Sequence, residues 1–397
     1  MNEKHKVKTI LTHDGDHYQD NKGAIVPPIF QNSLFAFENW DAIDRAFSDP
    51  ANSLIYSRLL NPTAIIAEEK IAAIAHGEKA KLTGSGMGAI SAAIMHCVKA
   101  GSHIVTINTL YGPANNFINK FLKEKCDVTV TYIPGTEISQ FEEAIQENTS
   151  LIYLESPASL TYEIQDLKAV ATLAKAKGIK TIIDNTWASP LFQKPLDYGI
   201  DISVHSASKY LCGHSDIVAG VIISNATIID DIIKTEHALL GAKIAPIEAW
   251  LILRSLRTLP IRMKAHHEAV LEIIPWLEAH SKIRSVLHPA ASNFTQKDLA
   301  ARQMSGYGSL LSILLKTENI KLIKTFVDSL KLFKLGVSWG GHESLVYAPV
   351  ISYMKELDES QFLAMGIKPN LIRLSIGLED VEDLIIDLDN ALSTIIE

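Results

Sequence analysis

Short apolar runs recur from residue 63 to residue 224, at intervals that leave room for one helix between successive runs. After a first short strand ahead of Gly84, they fall near residues 103–108, 128–132, 151–154, 181–183 and 202–205. Helical patterns over residues 64–75, from residue 89, and over 115–123, 138–146 and 167–177 fill most of the gaps. The runs are apolar along their length rather than alternating, so both faces of each strand need cover. Strands and helices repeating in this way close through right-handed crossovers into a mainly parallel sheet with helices on both sides. The fold class expected is α/β, and residues 217–224 are expected to end this sheet.

The pattern then changes. A long helical region over 245–281 precedes strands near 309–315, 345–349 and 371–375 and helices over 321–332 and 381–396. This predicts a smaller C-terminal α/β domain. Residues 1–60 read as polar and loop-like, with Pro27, Pro28 and Pro50 and little periodicity. The expected organisation is an arm over 1–60, a large domain over 61–256 and a small domain over 257–397.

Composition narrows the function. Apolar residues make up 47% of the 397 and charged residues 21%, which suits a globular enzyme and excludes a disordered chain. A net charge of −8 with no lysine or arginine cluster argues against nucleic acid or an anionic membrane as partner. No run approaches the roughly 18 apolar residues of a membrane span, and residues 1–20 carry lysines without the apolar core of a signal peptide. Cys97, Cys126 and Cys212 are too few for a disulfide framework or a zinc site, and the 14 histidines show no metal spacing. A cytoplasmic enzyme acting on a small molecule, with no metal, is the expectation.

Lys209 carries the strongest chemical signal. It follows the strand at 200–204 in Ser206-Ala207-Ser208-Lys209-Tyr210-Leu211-Cys212-Gly213-His214. Desolvating an ammonium is costly, yet it lowers the pKa and frees the amine for attack on a carbonyl. The flanking serines suit a phosphate, so the window reads as a Schiff-base lysine for pyridoxal phosphate. A surface lysine at a strand end is its other reading. Asp184 ends the strand before it, 25 residues upstream, where a carboxylate could keep a pyridine nitrogen protonated; alone it reads as a helix cap. Gly84-Ser85-Gly86-Met87-Gly88 opens a helix and suits a phosphate through its backbone N–H groups; a tight packing turn is the alternative. Glu155-Ser156-Pro157 ends another strand, Tyr111 could stack on a flat ring, and Arg373 lies inside the apolar run 371–375.

Together these residues resemble the fold-type I pyridoxal-phosphate enzymes of cysteine and methionine metabolism. The likeness rests on Tyr56-Ser57-Arg58 with Asn61-Pro62-Thr63, Ser85-Gly86-Met87, Asp184-Asn185-Thr186-Trp187, Ser206 to Lys209 with Gly213-His214, Gly340-Gly341-His342-Glu343-Ser344-Leu345, and Arg373 with Gly377-Leu378-Glu379. Ser338-Trp339-Gly340-Gly341 and Ser159 are similar to the bacterial cystathionine β-lyases, whereas Val337 stands where such an enzyme carries an aromatic residue. The resemblance implies a seven-stranded sheet domain and a homotetramer, a dimer of dimers with shared sites. It implies Lys209 as Schiff-base lysine and general base, Asp184 at the pyridinium and Tyr111 on the ring. Gly86, Met87, Ser206 and Ser208 would bind the phosphate, joined by Tyr56 and Arg58 from the neighbouring subunit. Arg373, Ser338 and Trp339 would hold the substrate. The activity implied is β-elimination of cystathionine on the way to methionine, with γ-lyases, a γ-synthase and a non-catalytic binding protein as rivals.

Overall fold

The computed structural model describes residues 5–356 and 367–396. Seven strands build one sheet: β1 (Lys79–Thr83), β2 (His103–Ile107), β3 (Thr129–Ile133), β4 (Thr149–Glu155), β5 (Lys180–Asp184), β6 (Ile202–Ser206) and β7 (Gly220–Ser224). Their spatial order is β1-β7-β6-β5-β4-β2-β3. β3, β2, β4, β5 and β6 run parallel, as the apolar runs require. β7 is antiparallel to both of its neighbours. A fully apolar strand looks the same in either direction, so this reversal left no mark on the periodicity.

Helices cover both faces. On one side Ile104, Ile182 and Val204 pack against the helix Gly86–Cys97, while Ile152, which points the other way, and the helix Leu167–Lys177 belong to the same core cluster. Ala89, Ala92 and Ala93 make the first of these thin enough to lie close to the strands. On the other side Leu82, Val221 and Ile223 meet Ile71 and Ile74 of the helix Pro62–Ala75 and Leu253 of the helix Pro246–Leu256. Each such aliphatic side chain, taken fully out of water, contributes about 1.5–3 kcal/mol.

A second sheet of five strands follows: β8 (Ile283–Leu287), β9 (Leu310–Leu315), β10 (Lys334–Leu335), β11 (Leu345–Tyr347) and β12 (Leu371–Ser375), in the order β10-β11-β12-β9-β8. Its core is shared with the helices Leu259–Ala279, Ile320–Ser329 and Val381–Ser393.

Three expectations need correction. The arm is not all loop, since it holds the helices Val7–His13 and Trp40–Ser48. The second is started by Asn39, whose side chain accepts the Ala42 N–H at 2.9 Å. Residues 245–281 form two helices rather than one, broken at Arg257 and Thr258. Pro260 sits in the first turn of the second helix, where its missing N–H costs no hydrogen bond. The helix expected over 115–123 is interrupted by a π turn at Phe117–Leu122. Among the described residues no helix is long and apolar enough to cross a membrane.

Candidate active site

The C-terminal ends of the parallel strands gather the polar residues on one edge, as such sheets do. β4 and β5 pair so that Glu155 lies opposite Asp184. Asp184 is buried and tied to the end of β6 through Thr186. The Thr186 backbone N–H donates to Asp184 Oδ1 at 3.0 Å, and the Thr186 hydroxyl donates to the same oxygen. That hydroxyl also accepts the Ser206 N–H at 2.8 Å. Burial pushes the Asp184 carboxyl up; the Thr186 hydrogen bonds and the Lys209 charge oppose it.

Lys209 sits in a turn after β6, with its N–H on the Ser206 carbonyl at 3.2 Å and its own carbonyl accepting the Gly213 N–H at 2.7 Å. Arg262 pins this turn from the helix Leu259–Ala279. Its Nη1 donates to the Tyr210 carbonyl at 2.7 Å and its Nη2 to the Ser255 carbonyl at 3.0 Å. Gly213 has φ +68°, and a Cβ there would collide with the Arg262 guanidinium, so both its dihedral and its contacts call for glycine. The Lys209 amine donates to the Ser338 hydroxyl at 2.6 Å and stands 5.5 Å from the centre of the Trp339 ring. Burial, then the like charge of Arg373, pulls its pKa from 10.5 down to about 8, against the pull of Asp184.

At the other end of the same cavity, Ser85 caps the helix Gly86–Cys97 and accepts the Gly88 N–H at 2.9 Å. A Cβ on Gly86 would lie 2.9 Å from Ser206 Cβ, so only glycine lets the helix start approach the end of β6. Ser208 is already engaged: its hydroxyl donates to the Ala219 carbonyl at 3.2 Å and accepts the Ala219 N–H at 2.9 Å. The second sheet supplies the remaining wall. Arg373 on β12 donates to the Val337 carbonyl at 2.7 Å and to the Ser338 carbonyl at 3.3 Å, with its guanidinium 4.9 Å from the Tyr347 ring centre.

These residues enclose a cavity of about 390 Å³. Gly86, Met87, Tyr111, Asp184, Ser206, Ser208, Lys209, Ser338, Trp339 and Arg373 all line it. Tyr56 and Arg58 do not. They pack on each other, guanidinium to ring centre 5.3 Å, and the Tyr56 ring is 41% exposed on the arm.

Three supporting residues escaped the sequence reading in these roles. Thr186 orients Asp184, and a hydroxyl two residues after a strand-end aspartate was the available signal. Arg262 grips the Lys209 turn from 53 positions away, with no local signal. Glu155, which the sequence shows only as the end of a strand, accepts the Tyr111 backbone N–H at 2.7 Å.

Known proteins resemble the chain over nearly its whole length. The sequence model of the Cys/Met metabolism PLP-dependent enzymes matches residues 8–393. An L-methionine gamma-lyase of Fusobacterium nucleatum subsp. polymorphum is 37% identical over 375 residues, covering 94% of each chain. A cystathionine beta-lyase of Coxiella burnetii is 33% identical over 393 residues, 98% of this chain and 99% of that one. The crystal structure of cystathionine gamma-lyase from Lactobacillus plantarum complexed with L-serine superimposes with a TM-score of 0.91 at 34% identity, covering 98% and 99%.

Proposed function

The chain belongs to the Cys/Met metabolism PLP-dependent enzymes, and from that premise we propose that it is a carbon–sulfur lyase that cleaves cystathionine by β-elimination and, with uptake of one water, yields homocysteine, pyruvate and ammonia. Its cofactor is pyridoxal phosphate. The residues present fit that group. A helix start bared by Gly86 suits the phosphate, Asp184 offers a carboxyl for the ring nitrogen, and Lys209 offers an amine that burial makes easy to deprotonate. The placement of the Lys209 amine in one cavity with Asp184 and Gly86 carries the proposal, because one group can then hold the cofactor and serve as base.

When bound, pyridoxal phosphate supplies an electron sink for the pair left on the substrate α-carbon. Lys209 takes the α-proton as general base. Asp184 would keep the ring nitrogen protonated, and Tyr111 would stand beside the ring. The N–H groups of Gly86 and Met87, with the Ser206 hydroxyl and that of Ser208 once it turns from the Ala219 carbonyl, would hold the phosphate. Arg373 holds the substrate α-carboxylate, with Ser338 and Trp339 beside it, and a bidentate guanidinium suits that task. Tyr56 and Arg58 reach a neighbouring subunit's phosphate in a homotetramer. That neither lines this chain's own cavity supports that reading, as do Trp40 and Phe47 on the same arm, 83% and 64% exposed. The three free cysteines suit a reducing cytoplasm.

Product analysis with cystathionine tests the proposal. Pyruvate and homocysteine are expected. A second reading, γ-elimination, is favoured by the methionine gamma-lyase likeness and would give 2-oxobutyrate and cysteine. Cystathionine made from O-succinylhomoserine and cysteine would instead mark a γ-synthase.

A further inference from the structure

Glu155, at the end of β4, has no part in the roles above, although it lines the same cavity and is 9% exposed. Both of its oxygens are engaged. Oε2 accepts the backbone N–H of Tyr111 at 2.7 Å, and Oε1 accepts the hydroxyl of Ser159. Strand pairing sets it directly opposite Asp184. It therefore links three pieces of one edge: the loop after β2, the segment after β4 and the end of β5.

We propose that Glu155 is a positioning residue that fixes where Tyr111 and Ser159 flank the cofactor ring. This rests on the pyridoxal-phosphate reading of the site. Both hydrogen bonds are donated to Glu155, so holding these partners needs acceptor oxygens and does not need a full negative charge. The surroundings disfavour that charge: burial and the neighbouring Asp184 push the Glu155 carboxyl up. The groups that face it are Asp184 on β5, Tyr111 after β2, Tyr153 on its own strand and Tyr162; Lys209 and Arg373 act on the same cluster through Asp184 and Tyr111. Because Tyr111 is gripped by its main chain, loss of the carboxyl frees the loop that carries the ring, rather than the phenol alone.

The test uses holoenzyme and two readouts, the pH midpoint of the cofactor's visible absorption band and the split of kcat from KM. Glu155→Gln keeps an acceptor for Tyr111 and can reverse the bond to Ser159, so it should stay within about threefold of wild type with an unmoved midpoint. Glu155→Ala should shift that midpoint and lower kcat about tenfold to a hundredfold, the scale of a misplaced reacting group. A folded Glu155→Ala enzyme with wild-type midpoint and kcat would overturn the proposal. So would Glu155→Gln as impaired as Glu155→Ala, which would make charge rather than position the cause. If Glu155→Ala does not fold, Ser159→Ala decides, since a wild-type titration there contradicts the clamp. A wild-type protein that gains no visible band with added pyridoxal phosphate would overturn the cofactor reading itself, and this proposal with it.

Discussion

The Lys209 amine of the apoenzyme should titrate near 8 instead of 10.5. The difference corresponds to about 3 kcal/mol favouring the neutral amine. At pH 8 about half of Lys209 is then neutral, against about 0.3% for an ordinary lysine. Burial is the first cause and the like charge of Arg373 the second, so Arg373→Leu should raise the midpoint; Asp184→Asn, which removes an attracting carboxylate, should lower it. Trace reductive methylation of the apoenzyme between pH 6.5 and 10.5, with the Lys209 peptide quantified by mass spectrometry, reads that midpoint. Stability gives a second view of the same effect. Between about 8 and 10.5 the unfolded chain binds the proton and the folded chain does not, so this group makes apoenzyme stability rise with pH across that window. Below it the folded state carries the cost of a buried ammonium. Lys209→Met should therefore stabilise the apoenzyme at pH 7, by up to about 3 kcal/mol less roughly 1 kcal/mol for the lost Ser338 hydrogen bond, and the gain should shrink above pH 8. A methylation midpoint near 10.5 would refute the burial argument.

Gly86→Ala places a methyl 2.9 Å from Ser206 Cβ, on a strand end with little room to yield, and overpacking of this kind costs about 1–3 kcal/mol. Apoenzyme carrying it should bind pyridoxal phosphate roughly 5–150-fold more weakly by fluorescence titration. Asp184→Asn keeps the shape but removes the charge proposed to hold the ring nitrogen protonated, and kcat should fall at least about a hundredfold in steady-state assays. Tyr56→Phe and Lys209→Ala enzymes, each impaired, should regain activity when unfolded and refolded together, because assemblies that share sites between subunits then contain one site with both native residues; no recovery would count against shared sites.

The sequence carried the parallel sheet and the edge residues for the same reason. A run such as Thr181-Ile182-Ile183 must be a covered strand, and a polar residue at its end is what a ligand would meet. Asp184 ends β5 and Lys209 follows the end of the adjacent β6, so the structure sets them on one cavity. What stayed hidden depends on tertiary contacts. The direction of β7 is decided by pairing and not by side-chain pattern. The grip of Arg262 on Tyr210 joins residues 52 positions apart, and nothing local announces it. Trp40, Ile43 and Phe47 do recur at helical spacing, but the stripe is exposed in a single chain and reads as noise until an arm that docks elsewhere is considered. Pro260 was a legible break signal that the long helical reading passed over.

The most direct measurement is borohydride reduction of the holoenzyme followed by peptide mapping. The account predicts that the reduced cofactor is recovered, in stoichiometric amount, on the peptide containing Lys209. Recovery on a different lysine, or unmodified Lys209 in enzyme that still cleaves cystathionine, would contradict it.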